Sequence, residues 1–143
     1  MKLNLQTDYA LRVLIYVGTN AEDLSTIQDI ANAYAISKAH LMKVVHRLGQ
    51  AGYLDTVRGK NGGMRLKRAA ETIRVGDVVR SIEEDLAVIG CLGQANYCRI
   101  QGPCVLQHAL QEATDAFLAV LDGYTLANLL TPRSALARLL DVA

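Results

Sequence analysis

All three cysteines of the 143-residue chain fall between positions 91 and 104: Cys91, Cys98 and Cys104 stand in a C-x6-C-x5-C pattern among Gly90, Gly93, Asn96, Gly102 and Pro103. Thiolates are soft ligands, and three of them on a segment too rich in glycine for a continuous helix can converge on one soft cation or one iron–sulfur centre. An odd count leaves one thiol over in any disulfide scheme confined to the chain. A closed tetrahedral zinc site or a typical cluster takes four protein ligands, so the set is one short. The fourth must come from elsewhere in the chain, from a partner subunit or from a small molecule. The plainer alternative is three ordinary cysteines without a common task, and their crowding weighs against it.

Apolar residues make up 51% of the chain, enough for one compact domain with a core, or for a small domain plus an extended association element. The net charge of +1 conceals a local excess. Positions 38–80 hold ten of the fifteen Lys/Arg and only three acids, Asp55, Glu71 and Asp77. Counterion release rewards such clustered cations on nucleic acid; a solvated basic face is the blander alternative. The chain does not open on a charged stretch, an apolar run and a small-residue cleavage site, and no apolar run reaches membrane-spanning length. The expectation is a cytoplasmic protein, where thiols stay reduced and clustered cysteines bind metal more often than they form disulfides.

The elements that must position these groups are mostly helical. Residues 3–17 read as a first helix, with Leu11, Leu14, Ile15 and Val17 on one face, Asp8 and Arg12 a turn apart on another, and Gly18 and Asn20 ending it. Ser25 is the expected cap of a short second helix carrying Ile27, Ile30, Ala31 and Tyr34. Ser37 is placed to cap a third, in which Leu41, Val44, Val45 and Leu48 recur at helical spacing up to Ala51-Gly52. The pair makes a helix-turn-helix whose second member presents Lys38, His40, Lys43 and Arg47 away from the apolar stripe. Residues 53–57 and 64–66 then read as strands around Arg58-Gly59-Lys60-Asn61-Gly62-Gly63, a hairpin with a basic tip that serves as a wing. The glycine-rich tip lacks the order of a nucleotide phosphate loop. Ser37 near the backbone, Lys38, His40 and Lys43 in the major groove, and Arg58, Lys60 and Asn61 on the wing are the candidate DNA contacts.

A further helix is expected over 73–82, with Val75, Val78, Val79 and Ile82 inward, ending at Glu83-Glu84-Asp85. Beyond Cys104, Leu106, Leu110, Ala113, Phe117, Val120 and Tyr124 alternate steps of four and three, the seam of a helix that pairs with another. Continued to Leu129 it would run about 38 Å, more than a small winged domain can cover. Leu118, Leu121, Leu126, Leu129 and Leu130 leave it apolar on more than one face, which favours self-association over packing within one chain. Thr131-Pro132 should stop it, and Leu136, Leu139 and Leu140 should form a short helix covering the end of the bundle. The expected fold is mainly α: a winged helix-turn-helix with a small β-hairpin wing over 1–82, a cysteine cluster-binding loop over 83–104, and a long dimerisation helix with a C-terminal cap over 105–143. His40 and His46 form no nucleophilic constellation with a cysteine and no C-x-x-C pair is present, so no enzymatic activity is expected.

Leu5-Gln6-Thr7-Asp8-Tyr9-Ala10-Leu11-Arg12, Val57-Arg58-Gly59-Lys60-Asn61-Gly62-Gly63, Ile73-Arg74-Val75-Gly76-Asp77-Val78-Val79 and the three cysteines together resemble the Rrf2 family of winged-helix regulators, most closely its nitric-oxide-sensitive repressors. The likeness covers nearly the whole chain. It implies a homodimer on a palindromic operator, one 4Fe-4S or 2Fe-2S cluster per subunit, and loss of DNA affinity when nitric oxide attacks the cluster. It also implies Cys91, Cys98 and Cys104 as ligands, with Asp8 of the partner subunit as the fourth. Asp8 has a plainer role too, as a carboxylate near a helix N-terminus, where the dipole favours it. The family's cluster-biogenesis regulator is expected to use a histidine three residues beyond the last cysteine, where this chain has Gln107. His108 lies about 100° further round a helix. The departure favours a nitric oxide sensor over the alternative, a regulator that senses cluster status or redox state.

Overall fold

The computed structural model describes residues 1–142. The first helix, α1 (Leu5–Thr19), starts two residues later than the pattern suggests because Asn4 caps it, its side-chain oxygen accepting from the Thr7 N–H at 2.9 Å. It buries Ala10, Val13, Leu14 and Val17, while Leu11 and Ile15, expected in the stripe, are only half-buried. Gly18 does not end α1. A Cβ there would stand 2.6 Å from Leu130 Cδ1, so this glycine admits a close approach from the far end of the chain, and Asn20 closes the helix two residues on.

The cap of α2 (Ile27–Tyr34) is Thr26, not Ser25. Thr26 Oγ1 accepts from the Asp29 N–H at 3.1 Å and the Asp29 carboxylate accepts from the Thr26 N–H at 2.9 Å, a capping box that outcompetes the single hydroxyl of Ser25. Ser25 is instead buried and bridged to Met64, donating at 2.9 Å and accepting at 2.7 Å through its backbone. Ala35, in the left-handed region at φ 53°, turns the chain into α3 (Lys38–Gln50). Ser37 caps α3 by accepting from the His40 N–H, and Leu41, Val44, Val45 and Leu48 are buried as their spacing predicts.

The wing is an antiparallel hairpin of β1 (Leu54–Val57) and β2 (Gly63–Leu66), in register from Leu54 opposite Leu66 to Val57 opposite Gly63. Tyr53, expected within the strand, is buried before it, and the Arg68 guanidinium lies 4.4 Å over its ring. Then α4 (Val75–Ile82) buries Val75, Val78, Val79 and Ile82. Ile73, expected in that helix, is extended and pairs with a distant segment: the Leu126 N–H donates to the Ile73 carbonyl at 2.8 Å, and the Val75 N–H to the Tyr124 carbonyl at 2.9 Å.

That pairing cuts the long helix short. After the single turn α5 (Gly90–Gly93), α6 (Val105–Asp122) has 18 residues, about 27 Å at 1.5 Å per residue, and not the 38 Å expected. Gly123 follows it, and Thr125 and Asn128 form a capping box that starts α7 (Leu126–Leu129), drawing Leu126 into the core at 2% exposure. Thr131-Pro132 therefore separates α7 from α8 (Arg133–Leu139) instead of ending α6. Leu140 is the buried residue of this C-terminal cap, whereas Leu139 is 74% exposed. Within α6 only Thr114 is buried; Leu106 and Val120 of the expected seam are 64% and 62% exposed, leaving an open apolar face. Among the described residues no helix is long and apolar enough to cross a membrane.

The contact between α4 and α6 is fastened by Arg80, whose two terminal nitrogens donate to the Asp122 carboxylate at 2.6 and 2.8 Å. A Cβ on Gly76 would collide with that carboxylate. Arg80 holds the Asp122 carboxyl below the usual carboxylate range. The pair's contribution is thus present above the unfolded carboxyl pKa and is lost as pH falls through the lowered one. Gly76→Ala should cost about 1–3 kcal/mol by overpacking, read as a drop in the thermal midpoint. Asp122→Asn should flatten the acid limb of the stability–pH curve relative to the parent; an unchanged limb would contradict the clasp.

Candidate cysteine loop and nucleic-acid interface

A 100° step per residue sends Ala39, Lys43, His46 and Gln50 of α3 directly outward, and all four are exposed. Ser37 and Lys38 are exposed at its start. His40 is exposed on the flank toward α1, with its ring 6.2 Å from that of Tyr9. Arg47, grouped with the outward cations by sequence, turns the other way: one terminal nitrogen donates to Gln6 Oε1 at 2.7 Å and the other to the Ile82 carbonyl at 2.9 Å. No acid interrupts α3. Arg58, Lys60 and Asn61 are exposed at the tip of the wing, and an open groove between α3 and the hairpin is lined by Met42, Lys43, His46, Arg58 and Lys67. Met42, His46 and Lys67 were not among the DNA contacts expected from the sequence, although the helical step past Lys43 leads to His46.

The cysteine segment leaves α4 at Glu83, whose carboxylate accepts from the Asn4 backbone N–H at 2.7 Å and from Asn4 Nδ2 at 3.0 Å. Cys91 sits half-buried on α5, Cys98 is exposed, and Cys104 is half-buried at the cap position of α6; all three are free thiols. The Cys91 carbonyl accepts from two side-chain amides, Gln101 at 3.0 Å and Gln107 at 3.1 Å. Gln101 Oε1 in turn accepts from the Tyr97 N–H at 2.9 Å, and the Tyr97 ring lies so close to Gly90 that a Cβ there would be 2.5 Å from it. Gln107, at the position where a histidine ligand would stand, is thus a fastener of the loop, and His108 is exposed.

Asp8 is half-exposed and accepts from Arg12 Nε at 3.0 Å, an interaction that raises the Arg12 pKa. Exposed pairs one helical turn apart are worth only about 0.3–0.5 kcal/mol, so this one leaves the carboxylate easily exchanged. Among the described residues no three His, Cys, Asp or Glu side chains stand close enough to hold a metal ion, and Asp8 is not gathered with the cysteines in the protomer. The donor set itself fits an iron–sulfur group in kind: three free, soft thiols on one surface segment, still one ligand short.

A basic winged helix-turn-helix followed by a thiol-bearing segment and an uncovered apolar helix defines a DNA-binding regulator of the winged-helix class. The chain belongs to the Rrf2 family, described as iron-dependent transcriptional regulators, which matches residues 3–132. It is 46% identical over 143 residues to the HTH-type transcriptional regulator NsrR of Bacillus licheniformis, covering 99% of this chain and 100% of that protein. Identity to the HTH-type transcriptional regulator NsrR of Bacillus subtilis (strain 168) is 48% over 144 residues, covering 99% of each. In fold it is similar to the solved structure of T. potens IscR, with a TM-score of 0.74 at 23% identity, covering 92% of this chain and 88% of that one.

Because two amides converge on the Cys91 carbonyl, removing one should loosen the loop without unfolding the protein. Gln107→Ala should cost no more than about 1 kcal/mol in global stability while raising the alkylation rate of Cys91 in the metal-free protein. An alkylation rate equal to the parent's would show that Gln107 does not restrain the loop.

Proposed function

We propose that the protein is a homodimeric repressor that senses nitric oxide through an iron–sulfur cluster and releases its palindromic operator when the cluster is nitrosylated. The observation that carries this is the confinement of every cysteine, all free, to the surface segment between the end of α4 and the start of α6. The iron-dependent character of the family and the near full-length likeness to regulators named NsrR support it. Cys91, Cys98 and Cys104 would hold the cluster, with Asp8 of the partner subunit completing the set. When bound, the cluster supplies an iron centre that nitric oxide attacks, the more readily for one carboxylate ligand among thiolates.

The chain's own residues do the rest. The segment 83–104 presents the thiols, and the exposed face of α6, with Leu106 and Val120, buries itself against a second copy within the dimerisation region, residues 105–143. In the DNA-binding domain, residues 1–82, Ser37 meets the backbone and Lys38, His40 and Lys43 enter the major groove. Arg58, Lys60 and Asn61 of the wing follow the phosphates toward the minor groove. Operator binding requires the two recognition helices to match one helical turn of DNA, so a change in subunit geometry is enough to release it.

The experiment is anaerobic purification followed by iron and sulfide analysis and gel-shift titration with nitric oxide. Iron with inorganic sulfide, visible absorption and affinity that falls with added nitric oxide are expected; colourless, zinc-loaded protein indifferent to nitric oxide would overturn the proposal. Affinity that responds to oxidants or to cluster loading but not to nitric oxide would select the alternative, a sensor of redox or cluster status. Asp8→Ala should lower cluster retention. Arg58→Ala with Lys60→Ala should weaken binding to all duplexes alike and reduce the slope of log affinity against log salt by about one per lost phosphate contact.

A further inference from the structure

Arg47 occupies an unusual place for a recognition-helix cation. Its fork spans two acceptors on different elements: Gln6 Oε1 in the first turn of α1, at 2.7 Å, and the Ile82 carbonyl at the last residue of α4, at 2.9 Å. The same two ends are also joined by the adjacent residues, Glu83 accepting twice from Asn4. Asp8 follows Gln6 by two positions, and Glu83 opens the segment that carries the thiols. The start of α1, the exit of α4 and the recognition helix therefore meet at one guanidinium. Its planar fork fixes the directions of both donors, so a displacement of α1 against the end of α4 strains one of the bonds and pulls on α3 through the arginine stem.

We infer that Arg47 is a positioning residue that couples the seam between α1 and the cysteine segment to the recognition helix, and that it does so from behind α3 and not by touching DNA. The inference rests on the proposed cluster for the nature of the signal, but the mechanical link is a property of the chain without it. Lysine separates the two roles. Arg47→Lys keeps the charge and most of the stem, so a phosphate contact would survive it, whereas a single ammonium does not reproduce the fork. Gln6→Ala cuts only the α1 half of the link and leaves the core untouched.

Two measurements test it. The first is the ratio of operator affinities of cluster-loaded and cluster-free protein, for the parent, Arg47→Lys and Gln6→Ala. A parental ratio within the roughly 5- to 150-fold span usual for coupled sites should fall toward one in both variants, with the cluster absorbance unchanged. A ratio that stays parental would overturn the inference. A parental ratio of one would instead count against the proposed cluster function, and the second measurement then decides alone. In cluster-free protein, Glu83→Gln weakens the tie to Asn4 and should speed hydrogen exchange of the α3 amides several-fold when Arg47 is present. It should leave that exchange unchanged when Arg47→Lys is already in place. Equal acceleration in the two backgrounds would show that the seam and α3 are not linked through Arg47.

Discussion

One guanidinium joins three helices that the apolar core packs together. Arg47 ties the recognition helix to the first turn of α1 and to the last carbonyl of α4. Both of those ends lead directly to chemistry. The first turn of α1 contains Asp8, and the exit of α4 becomes the segment with every thiol of the chain. The helix proposed to read DNA is thereby tied to the helix that carries Asp8 and to the end of the one that leads into the thiol segment. Hydrogen bonds from an ionised donor are stronger than neutral ones, and a two-pronged fork adds geometric specificity.

The proposed cluster and the exposed face of α6 point to a common remedy. Three thiols would leave a four-ligand cluster one donor short, and α6 leaves Leu106 and Val120 in solvent. A second copy of the chain can supply both an apolar surface and a carboxylate. Asp8 suits the task because its present partner, Arg12, is a surface neighbour one turn away and easily released. Under the proposed function association and ligation would be one event, and loss of the cluster would alter how the two recognition helices are held.

Much of the fold could be read from the sequence, for reasons particular to each element. The burial of Leu41, Val44, Val45 and Leu48 in α3 and of Val75, Val78, Val79 and Ile82 in α4 follows from local periodicity, because each helix carries a single apolar stripe. The hairpin followed from its glycines. The end of α6 was missed because the apolar pattern runs on past Asp122; Gly123 and the Thr125–Asn128 capping box are its local signals, and the pairing of Leu126 with Ile73 fixes the fold-back. Ser25 and Thr26 are adjacent and chemically alike, and the choice of cap turned on Asp29, three residues on, and on the pairing of Ser25 with Met64. At the site, the thiol count and the missing ligand were visible, whereas the roles of Arg47 and Gln107 depend on acceptors distant in sequence, Gln6, Ile82 and the Cys91 carbonyl.

The ligand set would be read from a crystal structure of the anaerobically purified protein with anomalous scattering collected at the iron edge. One iron–sulfur centre per chain is expected, bonded to Cys91, Cys98 and Cys104 and to Asp8 of the partner subunit. Iron bound without the three cysteines, or a centre completed within a single chain while Asp8 remains paired with Arg12, would contradict it.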